Sequence, residues 1–153
     1  MPITQGLHPN LSAFLDTIAD MIGSTICHQS MDDGYDVDIT GSRFQSYETH
    51  PFMMRDPVFI TDGVESTKAG RYLLSVELWP YYKRMLNLPD FSPYSQDKWA
   101  IKLIFENDAR SLVKQGKIEI AFSKCVDIWP VLDNVEAGKD VYPRFGGHIS
   151  DGS

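Results

Sequence analysis

Four aspartates, Asp32, Asp33, Asp36 and Asp38, form the densest group of side chains in the chain that could transfer a proton. Two carboxyl groups roughly 5–9.5 Å apart can cleave a glycosidic bond, one as acid and the other as base or nucleophile. Sequence spacing does not give that distance, and acidic residues around a turn are usually solvated. A paired-carboxylate hydrolase is therefore one hypothesis, and a solvated acidic turn is the simpler interpretation.

Neither metal ligands nor a nucleophilic constellation can be recognised. The four aspartates do not fit a calcium loop, which needs alternating acidic ligands, glycine at the sixth place and a closing glutamate. The four histidines are scattered without ligand spacing. No nucleophile–histidine–acid set and no glycine-rich phosphate loop is visible. We expect no metal and no cofactor.

The charge balance restricts the choice of partners. The 153 residues include 14 Lys and Arg against 21 Asp and Glu, for a formal net charge of −7. Phosphate backbones and anionic wall or lipid surfaces repel such a chain, so nucleic-acid binding is disfavoured. A basic protein partner is compatible with this charge, although most acidic proteins are simply soluble.

Length and hydropathy predict one domain over residues 1–153, with little to bury from about residue 146, where we expect a flexible tail. No apolar run approaches the roughly 20 residues that span a bilayer, so membrane insertion is not expected. The first residues lack the features of a secretory signal. We expect a cytoplasmic protein, or one in the virion or periplasm after release. Cys27 and Cys125 are predicted to be free thiols, with a bridge between them left open.

The hydrophobic pattern predicts the helices and strands that would position the candidate residues. Apolar residues from Leu11 to Ile22 have helical spacing, with Asn10 as the expected N-cap. Tyr35, Val37 and Ile39 alternate with polar residues, which predicts a half-buried strand followed by a turn at Gly41-Ser42.

The second half of the chain is predominantly helical in pattern. After an irregular stretch from Met53 to Gly63, a helix is predicted from about Gly70 and should end or kink at Pro80. A further piece covers residues 81–88, and Ser92-Pro93 should start a largely buried helix. Helices over residues 109–114 and 118–131 follow. The expected fold class is α+β, mostly α.

Several segments, taken together and in order, resemble the bacteriophage lambda-type lysozyme family over about residues 10–131. They are Ala13–Asp16, Gly34–Val37, His50-Pro51, Ser66-Thr67 with Ala69–Tyr72, Asp90–Pro93 with Ser95–Asp97, and Ile128-Trp129. The resemblance implies a two-lobed fold, with a small β-sheet lobe facing a helical lobe across a glycan-binding cleft. It also implies a peptidoglycan lytic transglycosylase, in which one glutamate acts first as acid and then as base. The family's His-Pro motif, here His50-Pro51, further implies a structural role for His50.

The chain departs from the family where that glutamate is expected. In the family the first helix runs into Ser-Glu-Gly-Thr, and counting from Ala13–Asp16 without a gap places the glutamate at Ile22. A shift of one residue gives Met21 or Gly23, neither of them acidic, and Asp20 should point away from the cleft. A second departure is Leu73, where the family has glutamine after Gly-Arg-Tyr. No catalytic residue is therefore predicted.

The resemblance also implies which residues contact the glycan: Tyr35, Asp36, Ser66, Thr67, Arg71, Tyr72 and Leu73. Trp99 and Trp129 are expected in the core, because aromatic residues at helical spacing usually fill cores. We predict a phage or prophage lysozyme-like protein that has lost glycosidase activity and binds either a protein of the host or phage or the glycan of peptidoglycan. The charge favours the protein slightly. The alternative is an active endolysin that degrades peptidoglycan with a relocated acidic residue, such as Asp36.

Overall fold

The computed structural model describes residue 2 and residues 6–26, 29–61 and 63–150. Contacts within it divide the chain into two compact units. One unit comprises residues 1–22 and 100–153, and the other comprises residues 23–99. Within the described residues, helices dominate and the strands are short and antiparallel. The predicted α+β class is thus confirmed.

Helix α1 spans Pro9–Gly23, close to the prediction, but Asn10 does not cap it. Pro9 is suited to the first turn, because N–H groups at that position have no carbonyl partner within the helix. The His8 carbonyl accepts a hydrogen bond from Ser12 N at 3.0 Å. The Asn10 amide instead donates to the carbonyls of Val113 and Lys114 at 3.0 and 3.2 Å. The N-cap prediction is wrong because this side chain makes long-range bonds.

The first unit continues with α4 (Arg110–Lys114), α5 (Ile118–Cys125) and α6 (Val135–Val141). Phe14 stacks on Phe122 at 5.6 Å between ring centroids, and Trp129 is buried as predicted. Helix α5 ends six residues before the predicted end at residue 131. Pro130 disfavours a helical conformation at Trp129, which is extended at φ −123°, ψ 85°.

The segment after Gly146 makes backbone hydrogen bonds within this unit. His148 N donates to the Asn10 side chain, and Ser150 N donates to the Gly116 carbonyl, both at 3.0 Å. Of the tail expected to be flexible, residues 151–153 lie outside the described residues, as does Cys27. Cys125 is a buried free thiol.

In the second unit, residues 35–44 form a tight turn with isolated β-bridges instead of the predicted strand. Asp38 N donates to Ser42 O and Phe44 N donates to Asp36 O, at 3.0 and 2.9 Å. The predicted turn is present, with Gly41 at φ 87°. The predicted alternation of burial is wrong, since Asp36 and Asp38 are buried together with Tyr35 and Val37, whereas Ile39 is half-buried.

Two hairpins follow. Strand β1 (Val58–Thr61), in the stretch predicted to be irregular, pairs antiparallel with β2 (Val64–Ser66). Strand β3 (Lys68–Ala69) pairs antiparallel with β4 (Leu74–Ser75). The helix predicted from Gly70 is wrong, because residues 70–73 form the turn between β3 and β4. Gly70 and Leu73 both have positive φ there, at 85° and 50°.

Pro80 lies in the first turn of α2 (Trp79–Met85), so it begins a helix where we predicted an end. Helix α3 spans Pro93–Glu106, and the Ser92 hydroxyl caps it by accepting from Ser95 N at 3.4 Å. Trp99 stacks on Trp79 and on Tyr82 at 5.8 and 5.3 Å. These rings form the aromatic core of the second unit, which confirms the prediction for Trp99.

Candidate functional site

Ile22 lies in the last turn of α1 and is 6% exposed. Its neighbour Met21 is also buried, whereas Asp20 is exposed. Since successive residues of a helix are 100° apart, Asp20 and Ile22 face different sides. An isoleucine side chain has no proton to donate and no lone pair to accept one. The position at which the resemblance predicts the family's glutamate is therefore occupied by a buried aliphatic group.

Three of the seven predicted glycan-contacting residues belong to a buried polar group of the second unit, here called the Asp97 cluster: Tyr35, Arg71, Tyr72, Gln96 and Asp97. The hydroxyls of Tyr35 and Tyr72 both donate to Asp97 Oδ1, at 2.8 and 2.6 Å. Arg71 donates from one guanidinium nitrogen to the Tyr72 hydroxyl at 2.8 Å. Every member is nearly or fully buried, so the cluster holds the turn after β3 against α3.

The Gln96 side chain hydrogen-bonds to the backbone of three separate segments. Its side-chain oxygen accepts from Arg71 N at 3.0 Å, and its amide nitrogen donates to the carbonyls of Tyr35 and Phe91 at 3.0 and 2.9 Å. A Cβ on Gly70 would lie 2.3 Å from that side-chain oxygen. The segments that carry the resemblance, around residues 35, 70 and 96, thus meet at one set of hydrogen bonds.

Electrostatics keep the tyrosines protonated. Burial, with the Asp97 carboxylate nearby, raises the pKa of Tyr35, and burial raises the pKa of Tyr72 well above its usual value. The Arg71 guanidinium lies 5.3 Å from the centre of each ring and opposes these shifts. Both hydroxyls therefore act as donors to Asp97. Because the Tyr72 ring is fully buried, stacking it on a sugar would require the turn to open.

Asp36 is engaged in a local network. It accepts from the Ser30 hydroxyl at 2.5 Å, from Met31 N at 3.1 Å and from Arg43 Nε at 3.1 Å. Burial by itself would raise the pKa of this carboxyl group, but the three hydrogen bonds outweigh it and lower the pKa. Asp38 similarly accepts from Thr40 and Arg55. A general acid needs a raised pKa, so the network gives Asp36 the opposite property.

Ser66 and Thr67, at the end of β2, also make local bonds. The Ser66 hydroxyl accepts from Lys68 N at 3.2 Å, and the Thr67 hydroxyl donates to Glu77 at 2.5 Å. That bond lowers the pKa of Glu77. Ser66 and Leu73 are half-buried, whereas Thr67 is buried. Of the predicted contact residues, Ser66 and Leu73 thus present the most surface.

His50 is buried between Phe52 and Phe91 and has a defined tautomer. Its Nδ1 accepts from Phe52 N at 3.2 Å, so the proton is on Nε2, which donates to Leu74 O at 2.6 Å. Burial lowers the pKa of His50 to about 4. This geometry fits the structural role that the sequence predicted.

Asp97 and Gln96 were not among the predicted site residues, although their segment contributed to the resemblance. A carboxylate in an amphipathic helix, here at the fifth residue of α3, normally indicates a solvated face, and nothing in the sequence pattern indicates that Asp97 is buried. Among the described residues, no group of three or more His, Cys, Asp or Glu side chains could hold a metal ion. Within the same residues, no helix is long and apolar enough to cross a membrane.

Comparison with known proteins identifies the class to which this fold and these motifs belong. The family model described as Endolysin matches residues 12–144. The endolysin of Escherichia phage P2 is 40% identical over 146 residues, covering 91% of this chain and 88% of the relative. The endolysin of Escherichia phage lambda is 38% identical over 128 residues, covering 83% and 79%. The chain belongs to the endolysin family.

Solved structures give the fold independently. The structure of bacteriophage lambda lysozyme in complex with a chitohexasaccharide matches with a TM-score of 0.87 at 30% sequence identity. The match covers 96% of this chain and 100% of the lambda lysozyme chain. A second structure of the lambda lysozyme has a TM-score of 0.85 at the same identity and coverage. The predicted membership of the lambda-type lysozyme family and its fold are thereby confirmed.

Proposed function

We propose that this endolysin-family chain is a phage or prophage protein that binds the glycan of peptidoglycan without cleaving it. The observation that carries the proposal is Ile22, a buried aliphatic residue at the end of α1, where the family resemblance predicts the glutamate. Glycosidic cleavage needs a proton donor at the leaving oxygen. Losing a general acid or base costs about 10²–10⁴-fold in rate, and here one residue would have performed both roles.

Two carboxylates at or beside the predicted contact residues do not suit a relocated acid. Asp36 and Glu77 accept hydrogen bonds, and those bonds lower the pKa of each. A carboxylic acid with a lowered pKa is ionised at neutral pH and does not protonate a leaving group. These networks favour a binding function over an active endolysin with a displaced acid.

Glycan recognition is favoured because a structural relative, the lambda lysozyme, binds a chitohexasaccharide. We propose that Ser66 and Leu73 contact the sugar directly and that Tyr35, Asp36, Thr67, Arg71 and Tyr72 hold the turns that present them. Since the wall lies outside the cytoplasm, this function requires release of the chain after synthesis. The alternative is that the acidic surface of the chain binds a protein partner.

Co-sedimentation with purified peptidoglycan sacculi tests the proposal. The wild-type chain should pellet with the sacculi, and Leu73→Glu should reduce the bound fraction several-fold by placing a charge at the contact. Met85→Glu is the matched control, because Met85 is an exposed residue of the same unit on α2. If the wild-type chain stays in the supernatant and forms a stable complex with a host protein instead, the glycan proposal is overturned.

A further inference from the structure

The first unit carries a basic and aromatic surface that contains none of the predicted glycan-contacting residues. It consists of Lys102, Phe105, Arg110 and Lys114 and is here called the Phe105 patch. Phe105 is 52% exposed at the end of α3. The Lys102 ammonium lies 5.0 Å from the centre of its ring, and the Arg110 guanidinium lies 6.0 Å from it. Such contacts keep cations beside an exposed ring.

The patch borders a shallow depression of about 400 Å³ lined by Phe105, Asp108, Arg110, Ser111 and Lys114. Arg110 and Lys114 are four residues apart on α4, so they share one side of that helix. The depression therefore combines an apolar ring, a hydroxyl group, two cations and the Asp108 carboxylate, with a third cation above the ring, so positive charges outnumber the negative one. In a chain with a net charge of −7, this surface has the opposite sign.

Hydrogen bonds hold the backbone beneath the Phe105 patch in place. The Asn10 side chain donates to the carbonyls of Val113 and Lys114, which attaches the end of α4 to α1. In the turn before α4, Ala109 is fully buried and its N–H donates to Ile104 O at 3.1 Å. Binding at this surface would thus require ordering only of the side chains, which lowers the entropic cost of association.

We propose that the Phe105 patch binds the carboxylate groups of peptidoglycan stem peptides. This inference rests on the proposed wall-binding function and extends it from the glycan to the peptide. Arginine and lysine pair with carboxylates, and the Phe105 ring suits the aliphatic side chains of such peptides. The screening length in physiological salt is about 8 Å. A short flexible peptide can therefore reach the patch, whereas an anionic membrane would face the whole acidic surface.

A soluble stem tetrapeptide, acetyl-L-alanyl-D-isoglutamyl-meso-diaminopimelyl-D-alanine, is the direct probe. Titrated into the full-length ¹⁵N-labelled chain, it should shift amide signals of residues 102–114 and bind more weakly as salt increases. The double variant Arg110→Gln/Lys114→Gln should weaken binding about tenfold, since each exposed ion pair contributes modestly. The same peptide with its carboxyl groups amidated should lose most of its affinity.

The matched control is Lys124→Gln/Arg144→Gln, which removes one lysine and one arginine elsewhere in the same unit. It should bind the tetrapeptide as the wild type does. Absence of shifts in residues 102–114, equal affinity for the amidated peptide, or equal weakening by both double variants would each overturn the proposal. Sacculi stripped of stem peptides distinguish the stem-peptide proposal from the proposed glycan binding. If the chain binds glycan, it should still pellet with these sacculi, whatever the result with the tetrapeptide.

Discussion

The Tyr72 hydroxyl donates to the Asp97 carboxylate at 2.6 Å, and both side chains are fully buried. The same hydroxyl accepts from Arg71, so it links a buried cation to a buried anion. Tyr72→Phe should destabilise the fold by about 1–3 kcal/mol, because it removes the buried hydrogen bonds that this hydroxyl makes with Arg71 and Asp97. Urea unfolding measures the loss. Tyr81→Phe, at an exposed tyrosine, is the control, and equal stabilities of the two variants would contradict this role.

Acid should destabilise the protein through His50. In the unfolded chain the imidazole has its ordinary pKa of about 6.5, whereas burial lowers the pKa to about 4 in the native state. The unfolded state therefore takes up the proton first, and stability is lost as the pH falls from about 6.5 towards 4. The loss should approach about 3 kcal/mol.

Urea unfolding across this pH range tests the assignment. His50→Gln should be less stable than the wild type near pH 7, because the ring leaves the aromatic packing, but its stability should change much less between pH 6.5 and 4. A wild-type stability that stays constant over that window would contradict the buried neutral imidazole.

Gly70→Ala should be more disruptive than an ordinary glycine substitution at positive φ. Gly70 has φ 85°, and an added Cβ would lie 2.3 Å from the Gln96 side-chain oxygen. Gly63 also has positive φ, at 73°, but an added Cβ would meet nothing within 4 Å. Gly63→Ala should therefore lose about 1 kcal/mol of stability from backbone strain alone. Gly70→Ala should lose clearly more stability, measured by thermal unfolding. Equal losses would show that Gln96 moves aside freely.

The Cys125 thiol should be inert in the native protein. It is fully buried, and burial raises its pKa to about 12, while the thiolate is the reactive form. In a Cys27→Ser background, which leaves Cys125 as the one thiol, a thiol-reactive chromogenic disulfide should give no signal until denaturant is added. Rapid reaction without denaturant would place Cys125 at the surface.

Much of the helical framework was predictable because apolar periodicity and terminal signals agree there. Helix α3 begins after Ser92 as predicted, and α1 nearly matches its predicted extent. The stretch from Gly70 to Trp79 was predicted incorrectly because its apolar residues also fit a helical period. Gly70 bonds to Val37 and Arg71 bonds to Gln96, and these distant partners select a hairpin turn that local spacing does not indicate.

The candidate site was predictable only in part. The resemblance indicated the residues around 35, 66 and 71, but burial depends on partners far along the chain. Asp97 lies 62 residues from Tyr35 and 25 from Tyr72, and no periodicity relates them. Asp36 likewise suggested a displaced acid by its residue type, whereas its bonds to Ser30 and Arg43 give it a lowered pKa.

Introducing a carboxyl group at position 22 should confer some glycosidase activity if the proposed function holds. Ile22→Glu combined with Leu73→Gln should cleave peptidoglycan at a measurable rate, because burial would raise the pKa of the new carboxyl group towards that of a general acid. Ile22→Gln with Leu73→Gln is the matched control, since it has nearly the same shape and no titratable proton. Equal activity of the two double variants would contradict a role for position 22 in proton transfer.

The most direct test of the central claim is release of soluble muropeptides from purified sacculi by the wild-type chain, measured by liquid chromatography and mass spectrometry. The P2 phage endolysin serves as the positive control. The account predicts no product above the buffer blank, because Ile22 provides no proton. Release of glycan fragments by the wild-type chain at a rate near that of the control would contradict it and would require another acid elsewhere in the molecule.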